Sequence, residues 1–215
     1  MSGLEELLAH LDALRDSFSG ILELKAISFL LSRGKSDFVV AIDAALGGIS
    51  SVVFDKMRDA MEIHFLLRDF LFNPAHIQEW LTTNERARLK KFSPAQLRAR
   101  YAQAVGIKPA DLPDERDYKG HSKQLHVSPN FFLFGVEGIA KNHEFLEIGV
   151  CLSEMFDHAY NLLDAADKLG RNFAKDGWTL PDPTTSLKKF LDGGSSTTLY
   201  KSLFVAVVSA VEKSD

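Results

Sequence analysis

Apolar residues three and four positions apart recur along most of this chain, and that spacing suits helices that bury one side. Residues 3–17 carry Leu4, Leu7, Leu8, Leu11 and Leu14 in this register, and 21–32 (ILELKAISFLLS) forms a second, more apolar stretch ending at Arg33-Gly34. A long helix is predicted from a cap at Ser36 or Asp37 to about Phe72, with Asn73-Pro74 as its stop. Pro74 then suits the first turn of a helix over 75–82, where its missing donor is not needed. Ser93 as cap and Pro94 at the first position open another, running to about Val105-Gly106. Pro109, Pro113 and Gly120 mark 106–120 as a surface connection. A short helix is expected at 121–126, an extended or irregular apolar segment at 130–136, and a strong helix at about 142–169, stopped by Gly170. A short turn at 186–191 and a last helix over 197–212 complete the reading. The expectation is an all-α, single-domain bundle over 1–215, built around the long helices at about 37–72 and 142–169 and packed antiparallel or nearly so.

The 215 residues are enough for one core, and the formal charge of -4 supplies no global basic field. Duplex DNA is therefore not an expected partner, since non-specific affinity for it comes from neutralising phosphates. Cys151 is the only cysteine, which excludes an intrachain disulfide and a multi-cysteine zinc site. The opening MSGLEELLAHLDALRD is acidic and amphipathic, without the basic-then-apolar order of a signal peptide. No uncharged apolar run reaches the ~18–20 residues of a membrane helix. The expectation is a cytoplasmic protein with no membrane association.

Within the long helix, DKMRDAMEIHFLLRDF (Asp55 to Phe70) keeps many ionisable groups beside apolar ones. At about 100° per residue, Asp55, Arg58, Glu62 and Asp69 form one polar stripe. Ile42, Leu46, Ile49, Val53, Ala60, Ile63, Leu67 and Leu71 fall on the apolar arc, with Phe54 and Phe65 flanking the stripe. Arg58 and Glu62, four apart, can pair. Such a stripe is either a salt-bridged seam between helices or part of an active site.

RDAMEIH (Arg58 to His64) resembles the loose Arg-to-His signature of HEPN-type nucleases, in which Arg and His cooperate in metal-independent RNA cleavage at a helical dimer interface. In such chemistry Arg stabilises a pentacoordinate phosphate and His moves a proton. In an undistorted helix, however, His64 lies about 120° from Arg58, among core positions. Over about residues 50–130 the chain is also similar to an uncharacterised family of bacterial all-helical proteins, related in appearance to HEPN-like and abortive-infection proteins. These combine Arg-x-x-x-Glu on a long helix with a later Tyr-x-x-x-Ser-x-x-x-His. Here the matching residues are Arg58 and Glu62, then Tyr118, Ser122 and His126. The resemblance implies that the two segments meet in space. If 118–126 is helical, Tyr118, Ser122 and His126 share a face, and Glu62 would hold the His126 ring in one tautomer.

Three further groups of polar residues stand out in the chain. His121 and His126, five apart, diverge by about 140° on a helix, and no acidic partner is taken to complete a metal set with them. His143, Glu147, Glu154 and His158 share a face of 142–169 displaced by about 110° from its apolar side. That places them on an outer face or one meeting a partner chain. No metal ligand and no cofactor is assigned. NERARLKKFSPAQLRARY holds Arg86, Arg88, Lys90, Lys91, Arg98 and Arg100 near Trp80, Phe92 and Tyr101. It is either a solvated basic face or a surface for single-stranded RNA, with Arg86, Arg88, Lys90 and Lys91 as the substrate-binding candidates.

Two functions follow. One is a HEPN-like, metal-independent endoribonuclease of a bacterial defence or toxin system. In it Arg58 acts on phosphate charge, His126 or His64 moves protons, and Glu62, Tyr118 and Ser122 position them. The other is a non-enzymatic helical interaction module in which the same residues form a structural network. A homodimer is expected, with single-stranded RNA or a partner protein as the other candidate partner.

Overall fold

The computed structural model describes residues 2–21, 24–124, 143–173 and 181. The described residues form an all-α bundle: α1 (Ser2–Ser19), α2 (Lys25–Leu46), α3 (Ser50–Phe72), α4 (Ala75–Thr82), α5 (Glu85–Lys91), α6 (Pro94–Val105), α7 (Pro113–Gln124) and α8 (His143–Phe173). The segments expected at 130–136, 186–191 and 197–212, and most of the loop after Phe173, lie outside the described residues. None of the described helices is long and apolar enough to cross a membrane.

The helix expected over 37–72 is two helices. Chain direction changes not at Gly34 but at Gly47-Gly48, where Gly48 adopts φ 71°. That left-handed conformation favours glycine and commonly ends a helix. Gly34 instead sits inside α2, where a Cβ would lie 2.8 Å from Leu162 Cδ2, so its missing side chain lets α2 approach α8 closely. The break resets the helical phase. Val53, Ala60, Ile63 and Leu67 are buried as their periodicity predicts, whereas Leu46 and Ile49 at the break are exposed.

Other boundaries shift for local reasons. The basic stretch forms α5, capped by the Asn84 side chain, which accepts from the Ala87 N–H. The 106–120 connection is shorter than expected: a single 3₁₀ turn at Pro109–Asp111 is followed at once by α7, with Pro113 at its start. The described part of the short helix expected at 121–126, residues 121–124, is the end of α7, and α8 continues past Gly170 to Phe173.

α3 is the axis of the bundle, packed by α2, α8, α6 and α7. Its Val53, Met57, Ala60, Met61, Phe65, Leu67 and Phe70 are buried. They meet Ile27, Leu31, Phe38 and Ala41 of α2 and Met155, Ala159, Leu162 and Ala166 of α8 within one core. Leu7, Leu11, Leu14 and Phe18 of α1 complete it, and Lys35 of α2 pairs with Asp12 of α1 at the surface. At the far end of α3, Asp69 joins three helices. Its carboxylate accepts from Arg100 Nε of α6 (2.7 Å) and pairs with His76 Nδ1 of α4 (2.8 Å).

Candidate functional site

α3 and α7 run antiparallel, and their seam brings together residues far apart in sequence. Tyr118 Oη–H donates to Glu62 Oε1 at 2.8 Å, and Arg58 Nε–H donates to Tyr118 Oη at 3.3 Å. Arg58 Nη2 also lies 3.4 Å from Glu62 Oε1, closing a triangle of three polar groups. Phe65 forms one wall, its ring centroid 5.9 Å from that of Tyr118. The buried Arg98 guanidinium lies 4.4 Å from the Tyr118 centroid and is held by Glu115 at 2.6 Å. Burial, aided by Glu62, raises the Tyr118 hydroxyl above its ordinary pKa, so it remains a proton donor rather than a base. The Tyr118 hydroxyl in turn raises Arg58. Arg58 and Glu62 are each about one-third exposed. Ser122 follows Tyr118 by one turn and is half-buried. His126 lies outside the described residues.

His64 is not part of this triangle. Burial first, then the positive Arg68, hold its imidazole far below its ordinary value, with Asp114, His158 and Lys168 as its other electrostatic neighbours. A neutral, half-buried imidazole suits a packing role and makes an acid-sensitive element. The folded pKa lies below the unfolded one, so this contribution is complete above about pH 6.5 and is lost as pH falls towards about 3. Between pH 7.5 and pH 5, wild type is expected to lose roughly 2 kcal/mol more stability than His64→Leu. Urea unfolding of both proteins at the two pH values checks this; parallel losses would remove His64 as the cause.

A second cluster lies between α7 and α8. Asp117 and His121 stand one turn apart on α7, Glu154 and His158 one turn apart on α8, and one ligand atom from each lies within 4.8 Å of all the others. His121 and His158 are both 3% exposed, their Nε2 atoms 3.1 Å apart. Burial alone would lower His121, but the Asp117 and Glu154 carboxylates outweigh it and raise the ring to about 9. Burial alone would raise Glu154, but His121 and His158 bring it down to about 2. His121 Nδ1 is buried without a hydrogen-bond partner, and the Phe54 ring packs 5.5 Å away.

This cluster corrects two expectations. Glu154 and His158 do not lie on an outer face: α7 covers them. His121 does have acidic partners, Asp117 one turn before it and Glu154 across the interface. The sequence signal was present as two pairs, Asp-x-x-x-His and Glu-x-x-x-His, each placing its members on one helix face. The side chains of His143 and Glu147 fall outside the described ones.

The basic residues divide. Arg98 and Arg100 turn inward to Glu115 and Asp69, Lys91 pairs with Glu79, and the Arg88 guanidinium lies 5.6 Å from the Trp80 centroid. Arg86 and Lys90 are exposed on α5. Fold and sites together define a class: an all-α bundle with a polar α3–α7 seam and a His/carboxylate quartet beside it. Compared with family models, curated protein sequences and solved structures, the chain matches none of them.

Proposed function

We propose that this chain is a HEPN-like, metal-independent endoribonuclease of a bacterial defence or toxin system, acting in the cytoplasm on single-stranded RNA as a homodimer. The observation that supports the reading is the triangle of Arg58, Glu62 and Tyr118. A guanidinium and a phenolic O–H, from segments 60 residues apart, share a partly exposed seam. In this reading Arg58 meets the charge that grows on a phosphate in its transition state, and Tyr118 donates to the same oxygens. Glu62 and Ser122 orient them. Proton transfer belongs to His126, because His64 is half-buried, neutral and outside the triangle. Arg86, Arg88, Lys90 and Lys91 form the basic surface for the RNA strand, with Trp80 beside Arg88.

The alternative, a non-enzymatic interaction module, is favoured by one feature: Arg58, Glu62 and Tyr118 already satisfy one another. One experiment separates the two. Purified protein is incubated with single-stranded RNA in EDTA and, separately, with Zn²⁺, beside Arg58→Ala, Tyr118→Phe and His126→Ala. A cleaving enzyme loses roughly 100–1,000-fold in rate in Arg58→Ala at nearly unchanged melting temperature. Absence of cleavage under both conditions, with a marked fall in melting temperature for Arg58→Ala, selects the interaction module.

A further inference from the structure

α7 is unusual among the helices that cover the core. Its sequence, PDERDYKGHSKQ, contains one residue with a large apolar body, Tyr118. A helix this polar has little hydrophobic surface with which to dock. Polar ties hold it instead: Arg68 Nη1 to Asp114 at 2.6 Å, Arg98 Nε to Glu115 at 2.6 Å, Tyr118 to Glu62, and the quartet facing α8. The first three are ordinary hydrogen-bonded contacts. The quartet is not.

Its distances discriminate between two ways of holding four such groups together. His121 Nε2 lies 3.3 Å from Asp117 Oδ1 and 3.3 Å from Glu154 Oε2. His158 Nε2 lies 3.4 Å from Glu154 Oε2 and 3.8 Å from Asp117 Oδ2. Charge-assisted N–H···O hydrogen bonds are shorter, about 2.7–2.9 Å. Nor can a single proton between the imidazoles serve both carboxylates well. Around a tetrahedral ion with ligands about 2.0–2.2 Å away, however, neighbouring ligand atoms stand about 3.3–3.5 Å apart. The two Nε2 atoms at 3.1 Å and three of the carboxylate contacts, at 3.3–3.4 Å, cluster near that edge length. The His158–Asp117 contact is longer at 3.8 Å and uses the other Asp117 oxygen, and the four ligand atoms all lie within 4.8 Å of one another.

We propose that Asp117, His121, Glu154 and His158 bind one divalent transition-metal ion that clamps α7 onto α8. Two imidazoles with two carboxylates suit Zn²⁺ and its neighbours, whereas Mg²⁺ and Ca²⁺ prefer all-oxygen shells. Paired i, i+4 ligands on facing helices are also an economical way to build such a site, because each helix needs only one face. Three of the four ligands are largely covered and Asp117 is 44% exposed, so the side of the ion nearest Asp117 faces solvent. The clamp fixes Asp117, and with it the next residue, Tyr118, opposite Arg58. The site does not depend on the ribonuclease reading; it stands or falls on metal binding.

The test uses the full chain stripped with EDTA and titrated with Zn²⁺ and Co²⁺. Wild type is expected to bind one ion per chain, to show the intense visible absorption of tetrahedral cobalt, and to melt higher with zinc than without. His121→Ala/His158→Ala is expected to lose more affinity than the roughly 10–100-fold that changes behind a ligand shell cost. Should that double variant fail to fold, Asp117→Cys provides a second route from an exposed position. It is expected to add a thiolate-to-cobalt charge-transfer band absent from wild type. Binding by the double variant as tight as by wild type overturns the proposal. So does failure of wild type to bind Zn²⁺ or Co²⁺, or a Co²⁺-loaded Asp117→Cys protein without that band.

Discussion

Phe65→Ala is expected to lower stability by about 3–5 kcal/mol, the usual cost of deleting a fully buried phenylalanine ring. Phe65 is 1% exposed, so its removal leaves a cavity rather than a solvated gap. The neighbours make collapse difficult. Tyr118 lies on one side at 5.9 Å between centroids, and the Arg68 and Arg98 guanidinium carbons each stand 5.4 Å from the Phe65 centroid. Two cations thus lose an aromatic face at the moment the cavity opens. Heat or urea unfolding measures the loss, expected as a fall in melting temperature of roughly 6–20 °C for a chain of this size. A shift within experimental scatter would mean that the α3–α6–α7 wall repacks freely. Tyr118→Phe tests the same wall more gently, because it keeps the ring and removes only the hydroxyl that bridges Arg58 and Glu62.

Asp69→Ala is expected to cost a similar amount, about 3–5 kcal/mol, by a different mechanism. The Asp69 side chain is 5% exposed and answers two cationic or protonatable groups, Arg100 Nε and His76 Nδ1. Removing it leaves Arg100 partly buried at the junction of α3, α4 and α6, beside a cavity of about 230 Å³ also lined by Phe72, Asn73 and Tyr101. The measurement that isolates this cause is a double-mutant cycle. Asp69→Ala/Arg100→Met is expected to be less destabilised than the sum of its single changes, since the stranded charge is then gone. Strict additivity would show that the carboxylate and the guanidinium do not act together.

Much of the helical order is legible in local sequence. The bounds of α4 follow from Asn73-Pro74, and the start of α6 from Ser93-Pro94. These are local rules, in which a residue's own backbone preference places a boundary. The Arg58–Glu62 pair was equally legible, because four-residue spacing on a helix puts two side chains side by side. That Tyr118 would meet them was an implication of resemblance, not of spacing. Gly34 and Gly47-Gly48 show where local reasoning fails. All three glycines can interrupt a helix, but one is retained inside α2 by the close approach of Leu162, and only the pair ends it.

Periodicity misassigned the quartet for a related reason. Hydrophobic spacing identifies the side of a helix that meets apolar partners, and it does not show whether a polar side meets solvent or a polar neighbour within the fold. Glu154 and His158 are polar and yet covered, because the helix that packs on them is itself polar. No rule confined to α8 contains that information, and none confined to α7 shows which face Asp117 and His121 will meet.

The amino-acid order by itself therefore determined the class of fold, most helix positions and the pairing of residues within one turn, since these depend on interactions a few positions apart. Only the tertiary structure decided that α3 breaks from α2 at Gly48, that Tyr118 closes on Arg58, and that two histidines and two carboxylates from separate helices converge. Those outcomes depend on how polar α7 docks against α3 and α8, and docking energy belongs to pairs of surfaces rather than to any single stretch of chain.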